Sequence, residues 1–270
     1  MFMATSRDGT TRVQRKTTPR VRAPIVLVHG LMGFDAINLG PVRLASYFPG
    51  VEAMLRAAGN RVFMARVSPT AGVAHRAAEL REYLNCEVPR EPVHVFAHSM
   101  GGLDARYMIS RLGMEDRVLT LTTIGTPHRG SAFADWGIRR LERVVKPLLR
   151  RIGIPDQAFY DLTTEQCRAF NEAVPDVPSV RYASVAGRCT LPWLGMEWLL
   201  PHSVIRWYEG PNDGLVSVAS ATYGEQTDVW DGDHLSLINW PNPQACTLGV
   251  WRSRQRHYAD LVRRLADAGF

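Results

Sequence analysis

The sequence predicts an α/β fold with a mostly parallel central sheet flanked by helices. Short β-rich apolar runs alternate with longer helical patterns along most of the 270 residues, as expected of parallel strands joined by crossover helices. The first run, Pro24–His29 (PIVLVH), is continuously apolar and is followed by glycine. A strand covered on both faces has that character, whereas a half-exposed strand alternates.

The elements follow in order. After Pro24–His29, strands are predicted over Arg61–Val67, Val93–His98, Val118–Ile124 and Val180–Ala186, with further strand-like runs at Val204–Tyr208 and Thr227–Trp230. Helical patterns cover Val42–Ala58, Ala74–Leu84 and Gly102–Leu112, and the chain closes on an amphipathic helix over Arg252–Ala268. Ser131–Pro178 is far longer than the usual connection between strand and crossover helix. It reads as an insertion. Within it Ile138, Leu141, Val145, Leu148 and Ile152 form one helical stripe, arginines and Lys146 fill the other faces, and Pro147 should bend or break the helix. The organisation expected is a basic, solvated tail over residues 1–22 and a single domain over 23–270 with an insertion at about 131–178.

Composition narrows the function classes. Lys and Arg number 32 against 26 Asp and Glu, and 46% of residues are hydrophobic, as in ordinary globular chains. Six basic residues and one acidic residue lie in the first 22, so five of the six net positive charges belong to the tail. A nucleic-acid reader carries its charge on a folded face with a recognisable motif, and none occurs, so no nucleic-acid partner is expected. No run reaches the roughly 18 apolar residues of a spanning helix, and Met1–Arg22 is too charged for a secretion leader. That favours a cytoplasmic protein, although a secreted one trimmed of its leader begins the same way. Cys86, Cys167, Cys189 and Cys246 have no metal-binding spacing and are expected to be mostly reduced, buried or inert.

The chemistry is concentrated at Ala97-His98-Ser99-Met100-Gly101-Gly102, where a strand runs straight into a helix. Such a sharp turn strains the serine backbone and demands small residues two positions before and after it, here Ala97 and Gly101. The hydroxyl is then presented at the strand end with a helix N-terminus behind it. His29-Gly30-Leu31-Met32-Gly33 follows the first strand. Together with the residue after the serine it supplies two candidate oxyanion donors, the backbone N–H groups of Leu31 and Met100. A serine nucleophile needs a base, and in this arrangement acid and base follow it along the chain. His234, in the loop Gly232-Asp233-His234-Leu235, is the candidate base, and His257 reads as a surface residue of the last helix. Asp213, in Asn212-Asp213-Gly214, is the candidate acid, with Asp228, Asp231 and Asp233 as competitors.

Five blocks carry a family resemblance. They are His29–Asp35, His98–Gly102, Gly125–Ser131, Leu162–Thr164 with Phe170-Asn171, and Asn212–Ser217 with His234-Leu235. In this order they resemble the α/β-hydrolase superfamily, specifically the bacterial triacylglycerol lipases of the Pseudomonas and Burkholderia type. The resemblance implies an α/β-hydrolase fold and a serine ester hydrolase, lipase or esterase, cleaving acyl esters such as acylglycerols through an acyl-enzyme. It maps Ser99, Asp213 and His234 onto the triad, Leu31 and Met100 onto the oxyanion hole, and the insertion onto a helical lid making transient contact with lipid. The expected partner is a small-molecule or lipid ester, and no cofactor is expected. Relatives of this type often hold calcium through an aspartate two residues after the histidine, and a disulfide just past the acid. Ser236 and Ser217–Ser220 stand there, so neither a metal nor that disulfide is expected. Thioesterase, amidase or polyester depolymerase chemistry, or a non-catalytic lipid-binding module, are the alternatives on the same scaffold.

Overall fold

Six parallel strands form the central sheet of the computed structural model, which describes residues 18–31, 36–39, 42–88, 90–139, 157–190 and 196–270. In chain order they are β1 (Ile25–Val28), β4 (Val62–Met64), β5 (Val93–His98), β6 (Val118–Ile124), β7 (Arg181–Arg188) and β8 (Gln226–Asp231). A separate antiparallel hairpin joins β2 (Ala36–Leu39) to β3 (Val42–Ser46). The order across the sheet is β4-β1-β5-β6-β7-β8. The chain therefore adds β4 on one side of β1 and then builds away on the other. That reversal opens a crevice at the strand C-termini beside β1 and β5, where α/β sheets bind ligands.

Helices cover both faces. In chain order they begin with α1 (Val51–Ala57), α2 (Val73–Glu87), α3 (Gly101–Arg111), α4 (residues 132–139), α5 (Gln157–Asp161), α6 (Thr164–Ala173) and α7 (Met196–Tyr208). Three more follow, α8 (Val218–Ala221), α9 (Pro243–Thr247) and α10 (Gln255–Asp267). Strand periodicity divides the core into two layers. Val26 and Val28 of β1 and Val93, Val95 and Ala97 of β5 point toward α2 and α3. Ile25, Leu27 and Phe96 point the other way, onto Tyr47, Phe48, α1 and α10. His98 has the parity of Phe96, so its ring enters the α1–α10 layer.

Three expectations need correction. Val42–Ala58 is not one helix: β3 and α1 are separated by Pro49 and by Gly50, whose φ of 71° is left-handed. Val204–Tyr208 is the end of α7 and not a strand, because a short apolar run fits either period and its helical context decides. Residues 18–22 are not tail: Val21 is buried, its N–H donates to Asn60 Oδ1 at 2.9 Å, and Asn60 Nδ2 donates to Pro19 O at 3.0 Å. The rest of the predicted tail, residues 1–17, lies outside the described residues, as does nearly all of the insertion's apolar stripe with Pro147.

A fully buried ion pair ties the helices of the first layer together. Arg76 of α2 donates through Nε to Asp104 Oδ2 of α3 at 2.8 Å, through Nη1 to Ser68 O at 2.6 Å and through Nη2 to His29 O at 2.8 Å. One guanidinium thus joins both helices and the loop after β1. Removing one partner of such a pair strands the other's charge, so Asp104→Ala is expected to lower the unfolding free energy by about 3–5 kcal/mol in a urea titration. A loss below about 1 kcal/mol would mean that water reaches Arg76.

Candidate active site

The expected site residues other than Asp213 leave the sheet at the C-terminal end of a strand. β1 delivers the loop beginning at Gly30, β5 delivers Ser99, β8 delivers His234, and Asp213 emerges from the loop after α7. Because β1, β5 and β6 are neighbours in register, Gly30, Ser99 and Gly125 come together.

Ser99 has φ of 55°, the left-handed conformation that L-residues avoid. Its neighbours hold it there. Ser99 N–H donates to Ile124 O at 2.8 Å, and its carbonyl accepts from Thr126 Oγ1 at 2.7 Å and from Gly102 N at 3.1 Å. Close approach explains the glycine two residues on, since a Cβ at Gly101 would stand 2.7 Å from His29 O. Gly30 packs as tightly against Ser99, its Cβ position being 2.6 Å from Ser99 Cβ and 3.2 Å from Ser99 Oγ. The Met100 N–H precedes the first bonds of α3, Gly102 N to Ser99 O and Leu103 N to Met100 O, and belongs to the unsatisfied donors of a helix start. Leu31 is half-buried and packs with Val73, Met100, Leu103 and Cys167, an apolar surface next to the serine.

Asp213 and His234 are bound to each other twice. His234 Nδ1 donates to Asp213 Oδ2 at 2.7 Å, and His234 N–H donates to Asp213 O at 2.8 Å. Asp213 is fully buried, and its other oxygen accepts from Leu215 N at 3.0 Å and Val216 N at 2.8 Å. A carboxylate that only accepts forces the proton onto Nδ1 and leaves the Nε2 lone pair free to act as a base. The pair rests on Gly125, where an added Cβ would lie 3.1 Å from Asp213 Oδ2 and 3.3 Å from His234 Cε1. Among the described residues no hydrogen bond joins the Ser99 hydroxyl to His234.

The competing acids are occupied elsewhere. Asp228 is paired with Arg264 of α10, and Asp231 accepts from Arg188 Nε at 2.8 Å. Asp233 shapes the histidine loop, accepting from Ser236 N at 2.8 Å, Ser236 Oγ at 2.9 Å and Asn242 Nδ2 at 2.6 Å. These partners are N–H and O–H donors, which do not suit the calcium of the resemblance. No group of three or more His, Cys, Asp or Glu among the described residues could hold a metal. His257 is half-buried against Trp230 and is not the solvated surface residue expected. The four cysteines are free; Cys167 is buried, and Cys86 and Cys246 are exposed.

The remaining blocks of the resemblance brace the insertion. Thr163 caps α6, its Oγ1 accepting from Gln166 N. Arg106 of α3 donates to Asn171 Oδ1 at 2.8 Å and to Val174 O at 3.1 Å, and Asn171 Nδ2 donates to His128 O at 2.8 Å. His128 is buried against Tyr223, which with the Arg106 charge holds its pKa well below the usual histidine value. It is a neutral brace. Sequence reasoning missed Tyr47, placed inside a predicted helix, and gave no role to the ring of His98. In the structure they meet behind the nucleophile, Tyr47 Oη standing 2.8 Å from His98 Nδ1.

The chain is similar to characterised lipases. Triacylglycerol lipase 2 of Saccharomyces cerevisiae is 32% identical to it, the match covering 92% of this chain and 92% of the yeast protein. The triacylglycerol lipase of Vibrio cholerae is 31% identical over 82% of this chain and 80% of its own. Among solved structures, the mature form of Bacillus licheniformis lipase BlEst2 superposes with a TM-score of 0.64 at 25% identity, covering 86% of this chain and 92% of that one. Staphylococcus hyicus lipase, 20% identical, shares the fold with a TM-score of 0.64 over 95% of this chain and 99% of its own. No protein-family model matches.

Two outcomes follow from this geometry. Ser99→Gly relieves a left-handed strain of about 1–2 kcal/mol and loses about 0.4–1 kcal/mol to the freer unfolded chain. It should therefore melt higher than Ser99→Ala by calorimetry, and equal melting would contradict the strain. Chelation with EDTA should leave the melting temperature unchanged, whereas Asn242→Leu, which removes a donor to buried Asp233, should lower it; a drop with EDTA would reveal a structural cation.

Proposed function

The chain belongs to the triacylglycerol lipase family and is a carboxylic ester hydrolase, and on that premise we propose that it cleaves acyl esters, acylglycerols among them, through Ser99, His234 and Asp213. The observation that carries the assignment is the buried Asp213–His234 pair seated on Gly125, beside a serine held at φ of 55°.

In this reading His234 Nε2 takes the Ser99 proton as Oγ attacks the ester carbonyl. The Leu31 and Met100 N–H groups receive the negative charge that forms on the carbonyl oxygen. Asp213 keeps the imidazolium oriented and stabilised and does not take its proton. Collapse of the tetrahedral intermediate passes the His234 proton to the leaving alcohol and leaves an acyl-enzyme. Water then attacks by the same route and frees the acid and Ser99. The missing serine–histidine hydrogen bond fits a resting site, because such contacts tighten when substrate binds.

A lipid ester suits the surroundings. The insertion over about 131–178 acts as the lid of a single domain. On α7 the side chains of Leu199, Leu200, Trp207 and Tyr208 are exposed, Trp207 to 84%. The start of α4 is joined to the end of α7, Ala132 N donating to Glu209 Oε1 at 2.6 Å, and Asp213 follows four residues on. Large apolar side chains left exposed on one helix suit contact with an apolar partner. No described helix is long and apolar enough to cross a membrane.

Initial rates on p-nitrophenyl esters from acetate to palmitate, below and above the solubility limit, test the proposal. Ser99→Ala and His234→Ala are expected to lose on the order of 10⁶-fold in kcat and Asp213→Asn about 10⁴-fold. Turnover that survives Ser99→Ala would end the nucleophile assignment, and normal turnover by Asp213→Asn would move the acid elsewhere. A long-chain preference with a rate jump past the solubility limit supports lid opening at an interface; a short-chain preference without the jump excludes it.

A further inference from the structure

Behind the site runs a line of hydrogen bonds whose direction is set by its ends. His98 Nε2 lies 3.0 Å from His234 O, Tyr47 Oη lies 2.8 Å from His98 Nδ1, and Gly30 N–H donates to Tyr47 Oη at 3.1 Å. A carbonyl only accepts, so the His98 proton sits on Nε2. Burial, with the neighbouring His234 and His29 rings adding to it, drives the His98 pKa well down and keeps the ring neutral, so Nδ1 accepts from the Tyr47 hydroxyl. Burial likewise pushes Tyr47 up to about 12, and its oxygen keeps its proton while accepting from Gly30.

The two ends are the two moving parts of the proposed reaction. Gly30 precedes Leu31, whose N–H is the loop's oxyanion donor. At the other end His234 is held by both of its backbone polar groups, N–H to Asp213 O and carbonyl from His98. The middle of the line adjoins the nucleophile, since His98 precedes Ser99. Its ring stands 4.4 Å from the His234 ring, centroid to centroid, and 5.6 Å from that of Tyr47.

We infer that Tyr47 and His98 are positioning residues that fix the spacing between the oxyanion donor at Leu31 and the base at His234, by joining the two loops through one directed hydrogen-bond relay. Neither touches the reacting atoms. The inference rests on the triad and oxyanion assignment above, but it adds a constraint which that assignment does not need. Misplacement by about 1 Å between such groups costs on the order of a hundredfold in rate. A packing role alone would cost stability and leave the rate per folded molecule intact.

Tyr47→Phe removes only the hydroxyl and keeps the ring against Phe48. It is assayed on p-nitrophenyl butyrate well below its melting temperature, with active sites titrated by a phosphonate ester. The expected result is a fall in kcat of about ten- to a hundredfold with KM within about twofold, and an equal fall in the rate of Ser99 phosphonylation. His98→Gln, whose Nε2 can still donate to the His234 carbonyl, should keep more activity than His98→Leu. Adding Tyr47→Phe to His98→Leu should cost little further, because the relay is already broken. In the wild-type protein, nitrogen-15 NMR should find His98 neutral with its proton on Nε2. Wild-type kcat in Tyr47→Phe, a change confined to KM, or the Nδ1–H tautomer of His98 would each overturn the relay. These outcomes are read against Ser99→Ala: if its turnover is absent and Tyr47→Phe is unimpaired, the triad stands and the relay falls.

Discussion

The site depends on one backbone constraint, the left-handed turn of Ser99 at the end of a strand buried on both faces. That conformation costs free energy by itself and persists only where its surroundings over-determine it. Here the end of β6 supplies an acceptor for the Ser99 N–H, and Thr126 in the loop that follows donates to its carbonyl. Neighbouring loops give up side chains so that backbone can close in at Gly30 and Gly101. A strand exposed on one face would let the turn relax. The apolar run through β5, which excludes water from both sides, is therefore what allows the chain to hold a hydroxyl in the crevice beside β1.

Charge is used sparingly around that turn. Burial keeps His98 and His128 neutral, so they work as oriented donors and acceptors. Asp213 is the buried carboxylate at His234, and its three donors saturate it from both sides. A carboxylate so placed cannot rotate to another partner, and it confines the imidazole to one tautomer. The second buried carboxylate of the histidine loop, Asp233, is tied by neutral donors in the same way. The loop's order thus comes from hydrogen bonds among its own residues.

The insertion is joined to this frame through polar anchors. Arg106 reaches from the nucleophile helix to the end of α6, Asp135 accepts from Thr164 N at 3.0 Å, and Ser131 Oγ donates to Leu215 O at 2.9 Å beside the acid. These contacts hold the roots of the insertion and the acid loop together.

The α/β alternation, the strands with their doubly buried character and the sharp turn at Ser99 were legible in the linear sequence, as were Ser99, Asp213 and His234 as candidates in that order. Each is a local pattern: a period, a run length, or small residues required at fixed offsets. Asp213 could be preferred but not separated from Asp228, because an aspartate in a turn looks the same whether it orients a histidine or pairs with an arginine 36 residues away. Tertiary packing pairs Asp213 with His234 and Asp228 with Arg264. It also decided that Val42–Ala58 breaks at Pro49-Gly50 and that Val204–Tyr208 ends a helix, since short apolar runs satisfy two periods and only their neighbours choose. Tyr47 and His98 had no signal at all. They lie 51 residues apart and meet only because strand parity sends the His98 ring into the layer that Tyr47 lines, a relation that exists only once the sheet has formed.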